Sequence, residues 1–174
     1  TIPSGVTLTN SGTATGFGKV LQVVQAEKND TFTHTGSTFT DVTGLSASIT
    51  PSATSSKILI FSTINGSADL RYSGIRLVRD STNIFIGDAA GSRTQVTFPI
   101  DANSDEPSNS YVARNMGLNY LDSPSTTSST TYKIQIANGH SSSAITYINR
   151  TPNDDDADYS TRAASNIILM EIGA

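Results

Sequence analysis

The stretch GLSASITPSATSSKILIFSTI, Gly44 to Ile64, decides the fold. Leu45, Ala47 and Ile49 alternate with serines, the pattern of a half-buried strand. Thr50-Pro51 ends the run, because proline has no N–H to give to a ladder. Ser52 to Ser56 carry no large side chain. Lys57 to Phe61 then form the most apolar strand candidate in the chain. An echo lies downstream, where Leu121 to Ser129 repeat the Pro-Ser-Thr corner before Tyr132, Ile134 and Ile136. Two units of strand, corner and strand predict chain crossings between the two sheets of a sandwich.

The rest of the chain fits that reading. Its 174 residues are enough for one domain with its own core. Serine and threonine number 25 and 24, yet the apolar residues fall in regular short runs, which argues against a disordered stalk. Threonine suits strands, and serine with glycine suits turns. Net charge is −4 with 11 scattered basic residues, too few to neutralise phosphates, so no nucleic-acid partner is expected. The longest apolar runs are four residues, so no membrane insertion is expected. With no cysteine there is no disulfide frame and no thiolate site. The chain opens at Thr1, as a fragment or the downstream part of a longer polypeptide would.

Residues 1–18 alternate small apolar side chains with four glycines and read as a shaft or linker segment; residues 19–174 read as a β-sandwich head. Lys19 to Ala26 places apolar groups on both faces and predicts a buried strand. Gly44 marks a bulge in a long strand. Asn65-Gly66 and Asn138-Gly139 are hairpin signals, the second aimed at a strand over Ala144 to Ile148. Asp80-Ser81-Thr82 joins Gly74–Arg79 to Asn83–Ile86 in another hairpin. Thr94 to Phe98 predicts a short strand, and Tyr111 to Leu121 a strand or irregular segment. Ser165 to Ile172 is apolar on both faces and should be central. No helical periodicity runs over ten residues. Nine to eleven short strands give an all-β, jelly-roll or Greek-key β-sandwich. A strand apolar on both faces needs cover on both, one from the opposite sheet and one from another subunit, which predicts a homo-oligomer.

Several runs also carry a resemblance: Gly18 to Gln25, Thr43 to Pro51, Ser55 to Ile60, Leu77 to Thr82, Leu121 to Pro124 and Ile167 to Ile172. Together they resemble a C-terminal head domain found on fibre and appendage proteins of tailed bacteriophages, especially marine ones. The strand pattern is also similar, more distantly, to trimeric jelly rolls of the complement-C1q and tumour-necrosis-factor type. The phage resemblance implies a homotrimeric virion appendage, on tail fibre or capsid, acting outside the cell. Its partners would be other virion proteins and a host-surface saccharide or protein. It brings no catalytic motif and no receptor residues.

The candidate chemistry is sparse. His34 and His140 have no second histidine at metal-binding spacing, and no Gly-x-Ser-x-Gly elbow is present. Asp154, Asp156 and Asp158 occupy the first ligand spacings of a calcium loop and form a candidate cation site, with calcium the fitting ion. The loop lacks the glycine and terminal glutamate of an EF-hand, since Tyr159 and Ser165 stand there. No cofactor is otherwise expected. Carboxylate pairs drawn from Asp101, Asp105, Glu106, Asp154 and Asp156 are open to a glycosidase reading, which the absence of tryptophan weakens. Tyr72, His140, Tyr147 and Tyr159 are candidate receptor-binding residues. Recognition is expected in the polar loops Asp101 to Ser110 and Asn149 to Ala164. The function expected is therefore a non-enzymatic, host-binding virion head. A purely structural virion decoration protein and a secreted C1q-like lectin are the alternatives.

Overall fold

The computed structural model describes residues 19–69, 72–100, 111–139 and 141–173. These fold into β1 (Lys19–Lys28), β2 (Phe32–Thr35), β3 (Thr40–Ile49), β4 (Lys57–Ala68), β5 (Ser73–Arg79), β6 (Thr82–Ile84), β7 (Phe98–Ile100), β8 (Arg114–Asp122), β9 (Thr130–Asn138), β10 (Ile145–Ile148) and β11 (Ser165–Gly173). One sheet has the order β1-β11-β4-β10-β2, with β8 on the other side of β4. The second has the order β3-β9-β5-β6, with β7 also on β5. Pairing is nested: β1 with β11, β3 with β9, β4 with β8, and β5 with β6 and β7. That nesting, with the long strands divided between two sheets, is a jelly-roll sandwich.

The core follows from strand alternation. Leu45 and Ile49 of β3, Ile58, Ile60 and Ile64 of β4, and Ile167 and Leu169 of β11 point inwards. They meet Ile75 and Leu77 of β5 and Tyr132, Ile134 and Ile136 of β9. Each is fully or almost fully buried.

Both Pro-Ser-Thr segments cross between sheets, as their sequence predicts: 50–56 joins β3 to β4, and 123–129 joins β8 to β9. Each crossing has a buried carboxylate beside it. Glu171 accepts from the Ser52 N–H at 2.7 Å, the Ser52 hydroxyl at 2.6 Å and Gln22 Nε2 at 2.6 Å. Asp122 accepts from Arg79 Nη1 at 3.0 and 2.8 Å and from the Tyr132 hydroxyl at 2.6 Å. Gly44 has φ 88° at the register shift between Asp41 and Ser46, so the predicted bulge is there. The Asp80-Ser81 turn closes the β5–β6 hairpin, with Asp80 at φ 53°. β11 lies between β1 and β4, centrally, as its two-sided sequence requires.

Other expectations are corrected. Asn65-Gly66 does not turn the chain but lies inside β4, paired with β8 and β10. Its glycine serves close packing: a Cβ at Gly66 would sit 2.9 Å from Ile100 Cδ1. Asn138-Gly139 ends β9 without forming a hairpin, because β10 belongs to the opposite sheet. Thr94 to Phe98 is mostly irregular, with β7 beginning only at Phe98. β1 is an edge strand rather than a buried one, with Val20, Leu21 and Val23 exposed. The proposed shaft, residues 1–18, lies outside the described residues.

The registers give the sandwich two distinct poles. Lys19 pairs with Gly173, and Lys57 with Ile172, so these residues share one end with both corner crossings. β4 runs from there to Ala68, roughly 35–40 Å away. Ser73 pairs with Asn138 at that far end.

Candidate self-association face and far-pole cleft

The two outer faces of the sandwich differ in chemistry. Across the first sheet, Val23, Met170, Leu59 and Leu121 form one register row. Ile168 and Phe61 continue the apolar surface in the next row, and Val20 and Ile172 in the row on the other side. All eight point away from the core. Val20 and Val23 are 57% and 54% exposed, and Leu121 47%. Polar residues border the patch, with Asn115 Nδ2 donating to Asn65 Oδ1 at 3.1 Å.

The second sheet presents paired charges instead. Lys133 Nζ lies 2.7 Å from Asp41 Oδ2, and Gln135 Nε2 donates to Asp41 Oδ1 at 2.7 Å. The Arg76 guanidinium stacks 3.6 Å from the Phe39 ring centroid, and its Nε donates to the Gln95 carbonyl. The first sheet thus shows water a contiguous apolar patch and the second a polar, ion-paired surface.

A cleft of about 460 Å³ opens at the far pole. Phe39, Tyr72, Gly74, Arg93, Val96 and Gly139 are among its lining residues. Tyr72 is 66% exposed and has φ 71°, a left-handed backbone that a bulky residue rarely takes. Gly139 N–H donates to the Tyr72 carbonyl at 2.9 Å and fixes that backbone. Gly74 makes room for the wall, since a Cβ there would lie 2.4 Å from Val96 Cγ1.

The sequence-predicted residues fall in different places. Tyr72 lines the cleft. His140 lies outside the described residues, directly after the cleft residue Gly139. Tyr147 is buried beneath the Arg150 guanidinium, 4.5 Å from its ring centroid, so it presents no recognition surface. Burial pushes its hydroxyl pKa up, with the nearby Asp69 carboxylate adding to the rise. Tyr159 is exposed and meets Tyr111 edge-on at 5.0 Å, away from Tyr72's cleft.

The candidate cation loop is ion-paired. Asp154 contacts Arg162 and lies 3.3 Å from Arg150 Nη1. The hydrogen bond from Arg162, with Arg150 nearby, lowers the Asp154 pKa. Asp156 and Asp158 do not join it: among the described residues no three acidic or histidine groups gather in a metal-holding arrangement. A donor set led by an arginine-bound carboxylate does not fit calcium. Asp101, Asp105 and Glu106 lie outside the described residues. His34 Nε2 is 2.7 Å from the Thr38 carbonyl oxygen.

Arg93 and Phe39 were not singled out from sequence. They reach the cleft from segments more than 50 residues apart in the chain, and no local pattern joins them. The apolar outer face was signalled by two-sided strands, although its chief exposed members on β1 were expected to be buried.

Comparison with protein-family models and with curated proteins finds no match. Similar solved structures include infectious bursal disease virus, Gx strain, at 11% identity and TM-score 0.40, covering 87% of this chain and 39% of that one. A mutant VP2 protein of the same virus, in derived T=1 particles, is similar at 9% identity and TM-score 0.42 over 87% of this chain and 37% of that one. Its VP2 subviral particle is similar at 11% identity and TM-score 0.39, again over 87% and 39%. The chain thus spans less than two fifths of the length of these viral chains.

Proposed function

We propose that this chain is the non-enzymatic head of a homotrimeric virion appendage of a tailed bacteriophage, and that it recognises the host surface. The observation that carries the reading is the contrast between the outer faces. The apolar face of β1, β11, β4 and β8 turns towards other copies of the chain, and the ion-paired face of β3, β9 and β5 turns to solvent. The phage resemblance of the corner and strand motifs supplies the biological setting.

A symmetric pair would bury little through the apolar patch alone. Four strands about 4.8 Å apart and three side-chain rows give roughly 300 Å² in plan. A stable pairwise interface uses about 800 Å² per partner. In a closed ring each chain makes two contacts, so the exposed edge of β1 can add to the face of its neighbour. The pole arrangement suits such an appendage: residue 19 sits at one end, and the cleft with its exposed tyrosine at the other.

Light scattering at micromolar concentration tests the assembly. Three times the chain mass is expected, and a stable monomer would end the trimer reading. Leu121→Asp should dissociate the assembly while leaving the β-sheet circular dichroism unchanged, because Leu121 points away from the core. Adsorption competition tests the recognition: purified head should block attachment to host cells. A trimer without that effect would favour a purely structural decoration role.

A further inference from the structure

We propose that the far-pole cleft binds an acidic saccharide, with Tyr72 as the ring platform and Arg93 as the partner of the sugar's carboxylate or sulfate. The assignment rests on the host-recognition reading and names the class of ligand. At about 460 Å³ the cleft falls within the range of small-ligand sites. A left-handed, bulky residue is kept only where its surroundings hold it. Here Gly139 does so, through its N–H and through having no Cβ, which would lie 3.3 Å from the Tyr72 carbonyl oxygen. What that backbone geometry accompanies is an exposed aromatic residue on the wall of a cleft.

The electrostatics then choose the ligand. The chain is net negative, so an anion is attracted only by a local arrangement. Arg93 is exposed on the cleft wall, and no carboxylate is among the described lining residues. Behind the wall, the Arg76 guanidinium stacked on Phe39 adds a second positive charge. A planar guanidinium pairs with carboxylate or sulfate oxygens in a two-pronged geometry. Ser37 and Thr94, also in the lining, offer hydroxyls to the sugar's own. The described lining residues are thus equipped to hold a glycan by stacking, hydroxyl and guanidinium contacts.

Calorimetric titration of the intact trimer tests the assignment with four probes: a glucuronate-containing oligosaccharide, a sulfated oligosaccharide, neutral maltohexaose and a polyglutamate peptide. At least one acidic sugar should bind more tightly than the other two classes. Arg93→Ala should weaken that binding at least tenfold. Tyr72→Gly should abolish it while relieving the left-handed backbone, so that misfolding does not explain the loss. Tyr159→Ala should bind as the parent does. Equal binding of the neutral sugar, tighter binding of the peptide, an unaffected Arg93→Ala, or no binding by any probe overturns the proposal. Attachment competition separates this result from the parent reading. Tyr72→Gly heads that still block attachment overturn the cleft assignment and leave host recognition standing. Parent heads that bind the acidic sugar but do not block attachment support the cleft and sink host recognition.

Discussion

Glu171 shows how a single carboxylate can hold a crossing. Burial alone would raise its pKa, but hydrogen bonds from Ser52 and Gln22 outweigh it and bring the value down to about 2 from an ordinary 4.5. A group whose pKa falls on folding stabilises the protein above its unfolded value and loses that contribution as pH drops through the folded one. Its stabilisation is therefore complete above roughly pH 5 and fades towards pH 2. Glu171→Gln should lower the melting midpoint at pH 7 by about 5–10 °C, from the usual worth of charged buried hydrogen bonds and the size of the domain. Thermal melts at fixed protein concentration should show the gap between parent and variant closing at about pH 2. A pH-independent gap would assign the loss to packing instead. Gly66 makes the complementary point about space. Gly66→Val should cost about 2 kcal/mol through overpacking against Ile100 and Met116, read from chemical denaturation.

At the scale of elements, the two crossings are alike in sequence but differently anchored. Glu171 reaches the first crossing from the last strand, whereas Asp122 stands at the foot of the second and holds β5 and β9 through Arg79 and Tyr132. Asp122→Ala leaves Arg79 without this carboxylate and Tyr132 without this acceptor, so about 3 kcal/mol of unfolding free energy should be lost. Asp122→Asn should lose less, because its amide oxygen still accepts from Tyr132. Urea midpoints for the three proteins check that order. The crossings, the Gly44 bulge and the central β11 were legible because each is written in neighbouring residues: a proline, a glycine, an uninterrupted apolar run. The Asn-Gly pairs misled for the same reason. Their local turn preference was overruled by ladder pairing on both sides of Gly66 and by the sheet change after Asn138. The cleft was half legible. Tyr72 is readable as a tyrosine in or near a loop, but its wall is assembled from four separate segments that only the register brings together.

At the scale of the whole molecule, the proposed self-association would link folding to assembly. If copies cover the apolar outer face, the melting midpoint of the parent should rise with protein concentration, since association stabilises the folded state by mass action. The midpoint of Leu121→Asp should not. Scanning calorimetry over a hundredfold concentration range separates these cases.

The pairing of Lys19 with Gly173 has a mechanical consequence. A pull applied at residue 19 and resisted at the far pole loads β1 along its own axis. Its ladder bonds to β11 lie across that axis and must slide together. A pull between residues 19 and 173 opens the same ladder from one end, bond after bond. Single-molecule stretching should therefore find the first geometry withstanding a much higher force than the second. A head anchored at residue 19 and gripping a surface with its opposite pole would be loaded in its strong direction.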